Sequence, residues 1–390
     1  MRRRAIVALV AGAMLVPNAV GASFTWMVSA DGSTDHDTIS AAIEAAAPYD
    51  QILIAPGTYV EALVLDKDIV IAGQGDGSDV VIEPPKKLQR RNVGFEEEAF
   101  EVLIYAEDSD VSVHDVSLGE VVGYGIAVVG GSADIRGVVS QDEIAVRGAS
   151  PVTVTGSDLL ALWVDGPGEV LARGNTLHEG ALVLGGAHAT FEDNEVRNFP
   201  IVADGGASIT VTGNTFTPAD DDVGVVVVDP ESAGHITDNH FSGGWVGVIL
   251  EFPVETTVED NRFEGLVEGI VVVESGAVVR DNTFTGTTDY GVHTVGEGMT
   301  VEGNVIEGSR VGLFAEPLLG ESHPRATDYQ EGPFVSGNTI TGASHFGVLV
   351  EGVPAELAGN TICAGRQPLK IQGESSLVLG TNDICEPEAE

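Results

Sequence analysis

Short runs of alternating apolar and polar residues, each closed by a turn, recur through most of this 390-residue chain. Within residues 209–229, the run Ile-Thr-Val-Thr ends at Gly213-Asn214, resumes with an aromatic residue and enters four valines through Gly224. A period of two is typical of β-strands, and Gly-Asn is a turn signal. These units contain no helix-length run with apolar residues at 3.6-residue spacing. The pattern predicts an all-β chain of very short strands.

The turn recurs about every 22 residues, which is typical of a solenoid. Its asparagines, most of them preceded by Gly or Asp, are Asn175, Asn194, Asn214, Asn239, Asn261, Asn282, Asn304, Asn338, Asn360 and Asn382. A strand that begins X-Gly and continues with apolar residues completes each unit, as in YGIAVV, VGVVVV and YGVHTV. The glycines of this second motif are Gly125, Gly224, Gly247, Gly269, Gly291, Gly312 and Gly347.

A coil of this kind pairs each strand with the equivalent strand one turn away, at about 4.8 Å. Asparagine tolerates the left-handed backbone of a corner, and its amide both donates and accepts along the coil axis. We therefore expect a self-satisfying asparagine ladder. We also expect an internal aromatic file, formed by Phe216, Phe241, Phe263 and Phe284.

The units resemble the right-handed parallel β-helix repeats of the pectin-lyase-like superfamily over roughly residues 50–385. The stretch DHDTISAAIEAAAPYDQILIAPGTYVEALVLDKDIVIAGQG is similar to the opening of pectin methylesterases and of periplasmic β-helix proteins linked to copper-enzyme maturation. The resemblance implies a short helix that caps the open end of the coil. Residues at i, i+3, i+4 and i+7 give such a helix one apolar face: Ile39, Ala42, Ile43 and Ala46.

The predicted fold class is thus all-β, a right-handed parallel β-helix solenoid with a short N-terminal capping helix. Residues 23–50 should form an N-terminal strand and the helix, residues 51–385 the β-helix, and residues 386–390 an acidic tail. This scaffold hosts lyases, esterases, hydrolases, epimerases and non-enzymes, so the fold leaves the activity open.

The N-terminal 22 residues have the pattern of a secretory signal peptide. Three arginines precede an apolar run from Ala5 to Val16, and the small residues Val20 and Ala22 stand before the expected cleavage point. The alternative, a membrane anchor, would need a longer apolar run of about 20 residues. We expect a secreted, periplasmic or cell-surface protein with no membrane insertion after removal of the signal.

The two cysteines, Cys363 and Cys385, are 22 residues apart, which corresponds to one turn of the coil. Equivalent residues on adjacent turns lie within disulfide distance. In an exported protein we expect them to be bonded and to close the last turn.

The formal net charge is −42, with 60 acidic residues against 18 Lys and Arg. Such a surface repels nucleic acid and anionic membranes, so no nucleic-acid partner is expected. It also repels polyanionic polysaccharides unless calcium bridges the charges. Adaptation to a saline habitat or simple solubility explains the same charge.

Strand alternation predicts that a column of mostly apolar side chains points outward: Trp163, Val183, Val202, Val226, Ile249, Val271, His293, Phe314 and Leu349. One hypothesis is a docking surface for a partner, a lipid or the apolar faces of sugar rings, with Trp163, His293 and Phe314 as binding residues. The other is that loops of the same chain cover the column.

Carboxylates follow this column at the next turn: Asp165, Asp204, Glu251, Glu316 and Glu351. Stacked carboxylates can bind calcium, so one hypothesis is a calcium site among Asp204, Glu251, Glu316 and Glu351. The favoured interpretation is a solvated acidic edge.

Two units are longer than the rest, and their extra residues predict loops that flank a cleft. The first is Thr217–Asp222, in which Asp220, Asp221 and Asp222 are candidate binding residues. The second is Ala315–Phe334, whose candidates for acid–base chemistry or sugar binding are His323, Arg325, Asp328 and Tyr329.

A basic segment, Pro84–Glu98, contains Lys86, Lys87, Arg90 and Arg91. It can clamp an anionic sugar or a sulfate. Alternatively it is an exposed loop, balanced by its own Glu96, Glu97 and Glu98.

The catalytic motifs of the resembled enzymes do not carry over. Pectin methylesterases need a glutamine, two aspartates and an arginine, and only Gln141-Asp142 is found here. The Asp-Pro-His site of mannuronan epimerases has Glu231 in place of the histidine. We therefore favour a non-catalytic carbohydrate- or surface-binding or structural protein that binds a polysaccharide or a cell-surface glycan. The alternative is a polysaccharide lyase, esterase or hydrolase that acts between the two loops.

Overall fold

Three parallel β-sheets wind into one coil, and each turn contributes a strand to sheet I, then to sheet II, then to sheet III. This confirms the predicted all-β parallel β-helix and its short N-terminal helix. The structure is a computed structural model, and it describes residues 23–75, 77–93, 99–252, 255–318, 332–364, 366–373 and 377–385.

The strands have the following bounds within the described residues. Sheet I contains Thr25–Val28, Gln51–Ile54, Ile69–Gly73, Asp110–His114, Ser132–Arg136, Val152–Thr155, Glu169–Arg173, His188–Glu192, Ser208–Thr212, Ala233–Thr237, Glu255–Glu259, Val278–Arg280, Thr300–Glu302, Phe334–Ser336, Ala355–Ala358 and Leu377–Leu379. Sheet II contains Gly57–Val60, Val80–Glu83, Ser117–Leu118, Val139–Ser140, Asp158–Leu159, Thr176–Leu177, Glu195–Asn198, Thr215–Pro218, His240–Ser242, Arg262–Glu264, Thr283–Thr285, Val305–Glu307, Thr339–Ala343, Thr361–Ala364 and Asp383–Ile384. Sheet III contains Leu63–Leu65, Phe100–Glu107, Gly123–Val129, Glu143–Arg147, Leu162–Asp165, Ala181–Val183, Ile201–Ala203, Val223–Val228, Val246–Glu251, Glu268–Val273, Tyr290–Val295, Val311–Glu316, Phe346–Glu351 and Gln367–Gln372.

The N-terminal end of the coil is covered by the helix Ile39–Ala45, as the apolar spacing predicted. The Thr38 hydroxyl accepts a hydrogen bond from the first turn of the helix, and Glu61 accepts from two further N–H groups there. At the other end of the helix, the Lys67 ammonium donates to two carbonyl oxygens. Both termini are therefore satisfied by side chains, and the apolar face packs onto the first turn. The predicted N-terminal strand is already the first strand of sheet I.

The predicted asparagine ladder lies at the corner between sheets I and II and runs from Asn175 to Asn382. Each Oδ1 accepts from both the backbone N–H and the Nδ2 of the preceding asparagine, at 2.9–3.0 Å. Each Nδ2 also donates to a backbone carbonyl of an adjacent turn. Ser157 extends the ladder by one turn, because its N–H donates to Asn175 while its hydroxyl accepts from Val138. Buried corner groups thus find partners in the neighbouring turn.

The four phenylalanines stack inside sheet II, with ring centroids 4.6, 4.8 and 4.7 Å apart. The glycines of sheet III make room for them. A Cβ on Gly269 would lie 2.4 Å from Cδ1 of Phe284, and one on Gly224 would lie 2.6 Å from Cδ1 of Phe241. The repeated glycine is thus a packing requirement of the ring on the next turn.

One prediction of side-chain direction is wrong. Val183 is fully buried, and its neighbour Leu182 points outward. The register explains this, because Leu182 pairs with Trp163 on one side and with Val202 on the other. The other predicted members of the outward column occupy equivalent outward positions.

The predicted disulfide between Cys363 and Cys385 is confirmed, with the two Cα atoms 4.9 Å apart. It joins the last two turns of sheet II. Within the described residues, no helix has both the length and the apolar composition needed to cross a bilayer. The disulfide is compatible with export. The predicted signal peptide (1–22) and acidic tail (386–390) lie outside the described residues.

Replacing Asn282 with alanine should lower the free energy of unfolding by about 2 kcal/mol, because buried groups lose their partners. The N–H of Asn261 and the carbonyl of Val258 both bond to this side chain. Urea unfolding measures the change. Thr283→Ala, an exposed neighbour on the outer face, is the control and should change stability little. An unchanged unfolding midpoint for Asn282→Ala would show that the ladder does not stabilise the fold.

Candidate functional site

The outer face of sheet III carries one continuous column of side chains in register from turn to turn, here called the central column. Its members are Val64, Tyr105, Ala127, Ala145, Trp163, Leu182, Val202, Val226, Ile249, Val271, His293, Phe314, Leu349 and Lys370. The column changes character along the coil and has three segments.

Beyond the exposed Val64, the N-terminal segment is covered by the chain itself. After the sheet II strand Val80–Glu83, the chain leaves the coil, and Arg90–Arg91 pairs antiparallel with the start of Phe100–Glu107. The Arg91 guanidinium lies 5.2 Å from the centre of the Tyr105 ring. Val93 is buried against the apolar side chains Val102, Tyr105, Tyr124, Ala127 and Ala145. For this segment, intramolecular cover is the correct interpretation.

The middle segment is partly exposed over six consecutive turns: Trp163, Leu182, Val202, Val226, Ile249 and Val271. At about 4.8 Å per turn it extends for about 24 Å. At its N-terminal end, the ring of Trp163 stands edge-on to Tyr124 at 6.2 Å. A continuous apolar strip of this length on a protein surface is typical of an interaction site.

A second column runs beside the middle segment and alternates carboxylate with aliphatic side chains. Its members on successive turns are Asp165, Leu184, Asp204, Val228, Glu251 and Val273. The carboxylates therefore recur every second turn, about 10 Å apart. Asp165 also forms a 3.5 Å ion pair with Arg147 on the preceding turn.

The predicted calcium ligands belong to this second column. Asp204 and Glu251 are separated by Val228, whereas Glu316 and Glu351 follow each other on neighbouring turns. The calcium site stays a prediction.

The C-terminal segment contains a charged histidine between two carboxylates. His293 Nδ1 lies 3.3 Å from Oε2 of Glu268, and its Nε2 lies 3.0 Å from Oε1 of Glu316. The three residues come from three successive turns. Phe314 stacks on the imidazole at a centroid distance of 5.0 Å and is itself buried.

The pKa of His293 reflects two opposing effects. Burial favours the neutral imidazole and would lower the pKa, but hydrogen bonds to Glu268 and Glu316, and their charges, raise it to about 9. At neutral pH the ring is therefore an imidazolium, with both nitrogens donating.

Tyr290 and Arg310 complete this cluster, although the sequence patterns did not single them out. Arg310 donates from Nη2 to the Tyr290 hydroxyl at 2.9 Å and is also bonded to Asp289. The Tyr290 ring lies 4.9 Å from that of His293. Residues three apart normally face opposite sides of a strand. Here the two residues between them, Gly291 and Val292, are both buried, and Tyr290 and His293 lie half-buried on the outer face with their rings in contact.

The rim of this face includes the predicted aspartate loop. Thr217 and Pro218 still belong to sheet II, so the turn itself contains Asp220 and Asp221, which are exposed, and the half-buried Asp222. The Asp222 carbonyl accepts a hydrogen bond from the N–H of Trp245. Trp245 was not among the predicted binding residues, and its side chain is 48% exposed at the corner leading into sheet III. The pattern that could have indicated it is the isolated GGW at the end of a sheet II unit.

The candidate catalytic residues His323, Arg325, Asp328 and Tyr329 lie outside the described residues. The cleft between the two loops therefore stays a prediction.

Residues 160–306 match the family model for the right-handed β-helix region. Together with the three-sheet coil, this match makes the chain a right-handed parallel β-helix protein. A comparison with curated protein sequences found no match.

Among solved structures, the chain is similar to the A-module of mannuronan C-5 epimerase AlgE6 from Azotobacter vinelandii, at 17% identity and a TM-score of 0.45, over 90% of this chain and 95% of that one. It is also similar to the periplasmic alginate epimerase AlgG, at 14% identity and a TM-score of 0.43, over 86% and 77%. A third similar structure is an exopolygalacturonase from Thermotoga maritima, at 11% identity and a TM-score of 0.37, over 87% and 88%. Identities this low show likeness of fold alone.

The ion pairs of His293 should make stability depend on pH. Its folded pKa is raised, so the pairs stabilise the fold fully below pH 6.5, and this contribution is lost as pH rises through about 9. We expect the stability difference between wild type and His293→Gln to shrink by roughly 2–3 kcal/mol between pH 6 and pH 10.

Urea unfolding at a series of pH values measures that difference. His235→Gln is the matched control, because its 3.6 Å pair with Glu259 is solvent-exposed on sheet I and worth little. A difference for His293→Gln that stays constant across this range would contradict the ion-paired imidazolium.

Proposed function

We propose that this protein binds a polysaccharide along the outer face of sheet III and does so without catalysing its breakdown. The observation that carries the proposal is the regular alternation beside the middle segment. Carboxylates recur every second turn along a straight apolar strip. A surface with a fixed repeat suits a ligand that also has a fixed repeat, which is what a polymer presents.

The chemistry of the two columns matches that of sugars. The apolar central column, with Trp163 at one end, offers a flat surface to the C–H faces of sugar rings. The carboxylates of Asp165, Asp204 and Glu251 are acceptors for sugar hydroxyls. Trp245 and the exposed aspartates of the neighbouring turn add an aromatic ring and further acceptors at the rim.

Charge narrows the choice of ligand. A chain of net charge −42 repels nucleic acid and anionic membranes. A polysaccharide that is neutral along most of its length meets no such repulsion. A uniformly anionic one would need calcium between its own charges and those of the second column.

We place this activity outside the cytoplasm. The disulfide between Cys363 and Cys385 is stable in an oxidising compartment, and the N-terminal sequence has the pattern of a signal peptide.

A second candidate function is polysaccharide cleavage or modification, and the cluster at His293 favours it. An imidazolium held by two carboxylates can donate a proton, and the Tyr290 hydroxyl beside Arg310 can exchange one. The cluster adjoins the strand that leads into the long 315–334 segment, so His323, Arg325, Asp328 and Tyr329 belong to the same proposal.

Trp163→Ala should weaken binding to a neutral polysaccharide at least tenfold, because the apolar strip loses its only aromatic platform among the six residues of the middle segment. Val226→Asn, an outward substitution in the same column, should also weaken binding. Affinity electrophoresis through gels that contain xylan, cellulose derivatives or galactan measures the change. Isothermal titration with the matching oligosaccharides gives the affinity.

Tyr49→Ala is the control, because Tyr49 is an exposed aromatic residue beside the sheet I face, away from sheet III. Its removal should leave binding unchanged. If the wild type binds no member of the panel, or if Trp163→Ala binds as well as the wild type, the proposed face is wrong.

The two functions differ in products. Binding alone releases nothing, whereas cleavage releases reducing ends or unsaturated uronides from the same panel. If such products form and His293→Gln abolishes them while binding persists, the second candidate replaces the first.

A further inference from the structure

A cavity of about 310 Å³ opens at the N-terminal end of the sheet III outer face. Its floor is formed by Val64 and Tyr105, the first two residues of the central column. Lys87, Gln89 and Arg91, from the segment that leaves the coil, form another part of its wall. The basic segment therefore borders a pocket on the same face as the apolar strip, separated from Trp163 by the covered positions Ala127 and Ala145.

Positively charged side chains are concentrated at this pocket, whereas the chain as a whole is strongly acidic. Four of the 18 Lys and Arg residues fall within residues 86–91, in a protein with 60 acids. None of these four forms an ion pair with a carboxylate of the described residues. Elsewhere, arginines such as Arg136, Arg280 and Arg310 are paired with carboxylates of the same or a neighbouring turn.

The guanidinium of Arg91 is held in place. It lies over the Tyr105 ring, and its Nη2 donates to Oε1 of Gln89 at 2.9 Å. The Arg90–Arg91 strand is fixed by its antiparallel pairing with the start of the sheet III strand Phe100–Glu107. A guanidinium has five N–H donors, so donors remain for a ligand. An arginine positioned this way is suited to a planar or tetrahedral oxyanion.

Among the described residues that line the pocket, Glu61 is the one acidic side chain, and its carboxylate is directed elsewhere. Both carboxylate oxygens of Glu61 accept hydrogen bonds from the helix, from the N–H of Ile39 at 2.8 Å and that of Ser40 at 2.9 Å. Its negative charge is therefore partly balanced by the backbone N–H groups. Lys87 and Arg91 then give the described wall of the pocket a positive charge.

We propose that this pocket binds an anionic group, a carboxylate or a sulfate ester, on the sugar at one end of the bound polysaccharide. This inference rests on the proposed function and specifies its ligand. Beyond the pocket, the second column places a carboxylate at every second turn, so a chain charged throughout would be repelled. The ligand class is therefore a largely neutral chain with a terminal or sparse acidic sugar.

The test compares three oligosaccharides of equal length: a neutral xylo-oligosaccharide, the same chain with one glucuronic acid, and the same chain with one sulfate. Wild type should bind at least one acidic form about tenfold more tightly than the neutral form at low salt. The preference should shrink as salt rises. Comparing the affinities of the two acidic oligosaccharides shows whether the pocket prefers a carboxylate or a sulfate.

Lys87→Gln combined with Arg91→Gln should abolish the preference and leave affinity for the neutral chain unchanged. Arg91→Lys keeps the positive charge but loses the bidentate donor geometry of the guanidinium, so it should retain only part of the preference for the acidic chains. Arg262→Gln, an exposed ion-paired cation on sheet II, is the control and should change nothing. Equal affinity of wild type for all three chains, or a preference that survives the double substitution, would overturn the proposal.

Failure of the pocket can be separated from failure of the proposed function. Trp163→Ala should weaken binding of all three chains to a similar degree, because it acts on the shared apolar strip. If no chain binds, free glucuronate and free sulfate are titrated separately. Binding of either one that is lost in the double variant supports the pocket alone, and no binding of either contradicts it.

Discussion

From Asn175 onward, the structure depends on one constraint: the buried amide at the corner between sheets I and II must find its partner one turn away. From Asn175 to Asn360, each asparagine donates twice to the next one along the chain, at 2.9–3.0 Å. Only a near-constant translation between turns allows this for every member. A turn that slipped by one residue would bury an unpaired amide and also face its apolar residues outward. The ladder therefore fixes the register from which the rest of the coil follows.

Because the register is fixed, residues at equivalent positions of the repeat form columns along the coil. These columns determine the chemistry of each face. Inside, they bring Phe216, Phe241, Phe263 and Phe284 into one stack and require glycine where those rings press on sheet III. Outside, they align an apolar strip with a row of alternating carboxylates. Neither surface exists in any single repeat. The proposed binding face is thus a property of the stacking, and a substitution at one turn would affect a site that spans many.

The columns also explain which features the sequence could predict. The asparagine period and the glycine strands were sufficient for the coil, the inner phenylalanine stack and the Cys363–Cys385 bond, because each depends only on equivalence between turns. The errors and omissions lie where a unit departs from the average. Val183 was placed one residue out of register, because Leu182 is the residue of this strand that pairs with Trp163. Tyr290 was missed because it stands three residues before His293, a spacing at which strand alternation puts side chains on opposite faces. The sequence did not decide whether the chain covers the N-terminal segment of the column, because Arg90 and Arg91, which form the covering strand, lie outside the repeat.

Charge is distributed over this face in a way that composition alone could not show. A net charge of −42 suggests uniform repulsion of anions. Yet Arg136, Arg280 and Arg310 are neutralised locally by carboxylates, so they contribute little to the field beyond a Debye length, about 10 Å at 0.1 M salt. The cations of residues 86–91 form no such pair with described carboxylates, and they lie beyond the N-terminal end of the apolar strip, past the covered positions Ala127 and Ala145. Under the proposed function, a polysaccharide on sheet III would meet attraction at that end and hydrogen-bond acceptors along the rest. That asymmetry would give the bound chain a preferred direction, which a symmetric repeat could not provide.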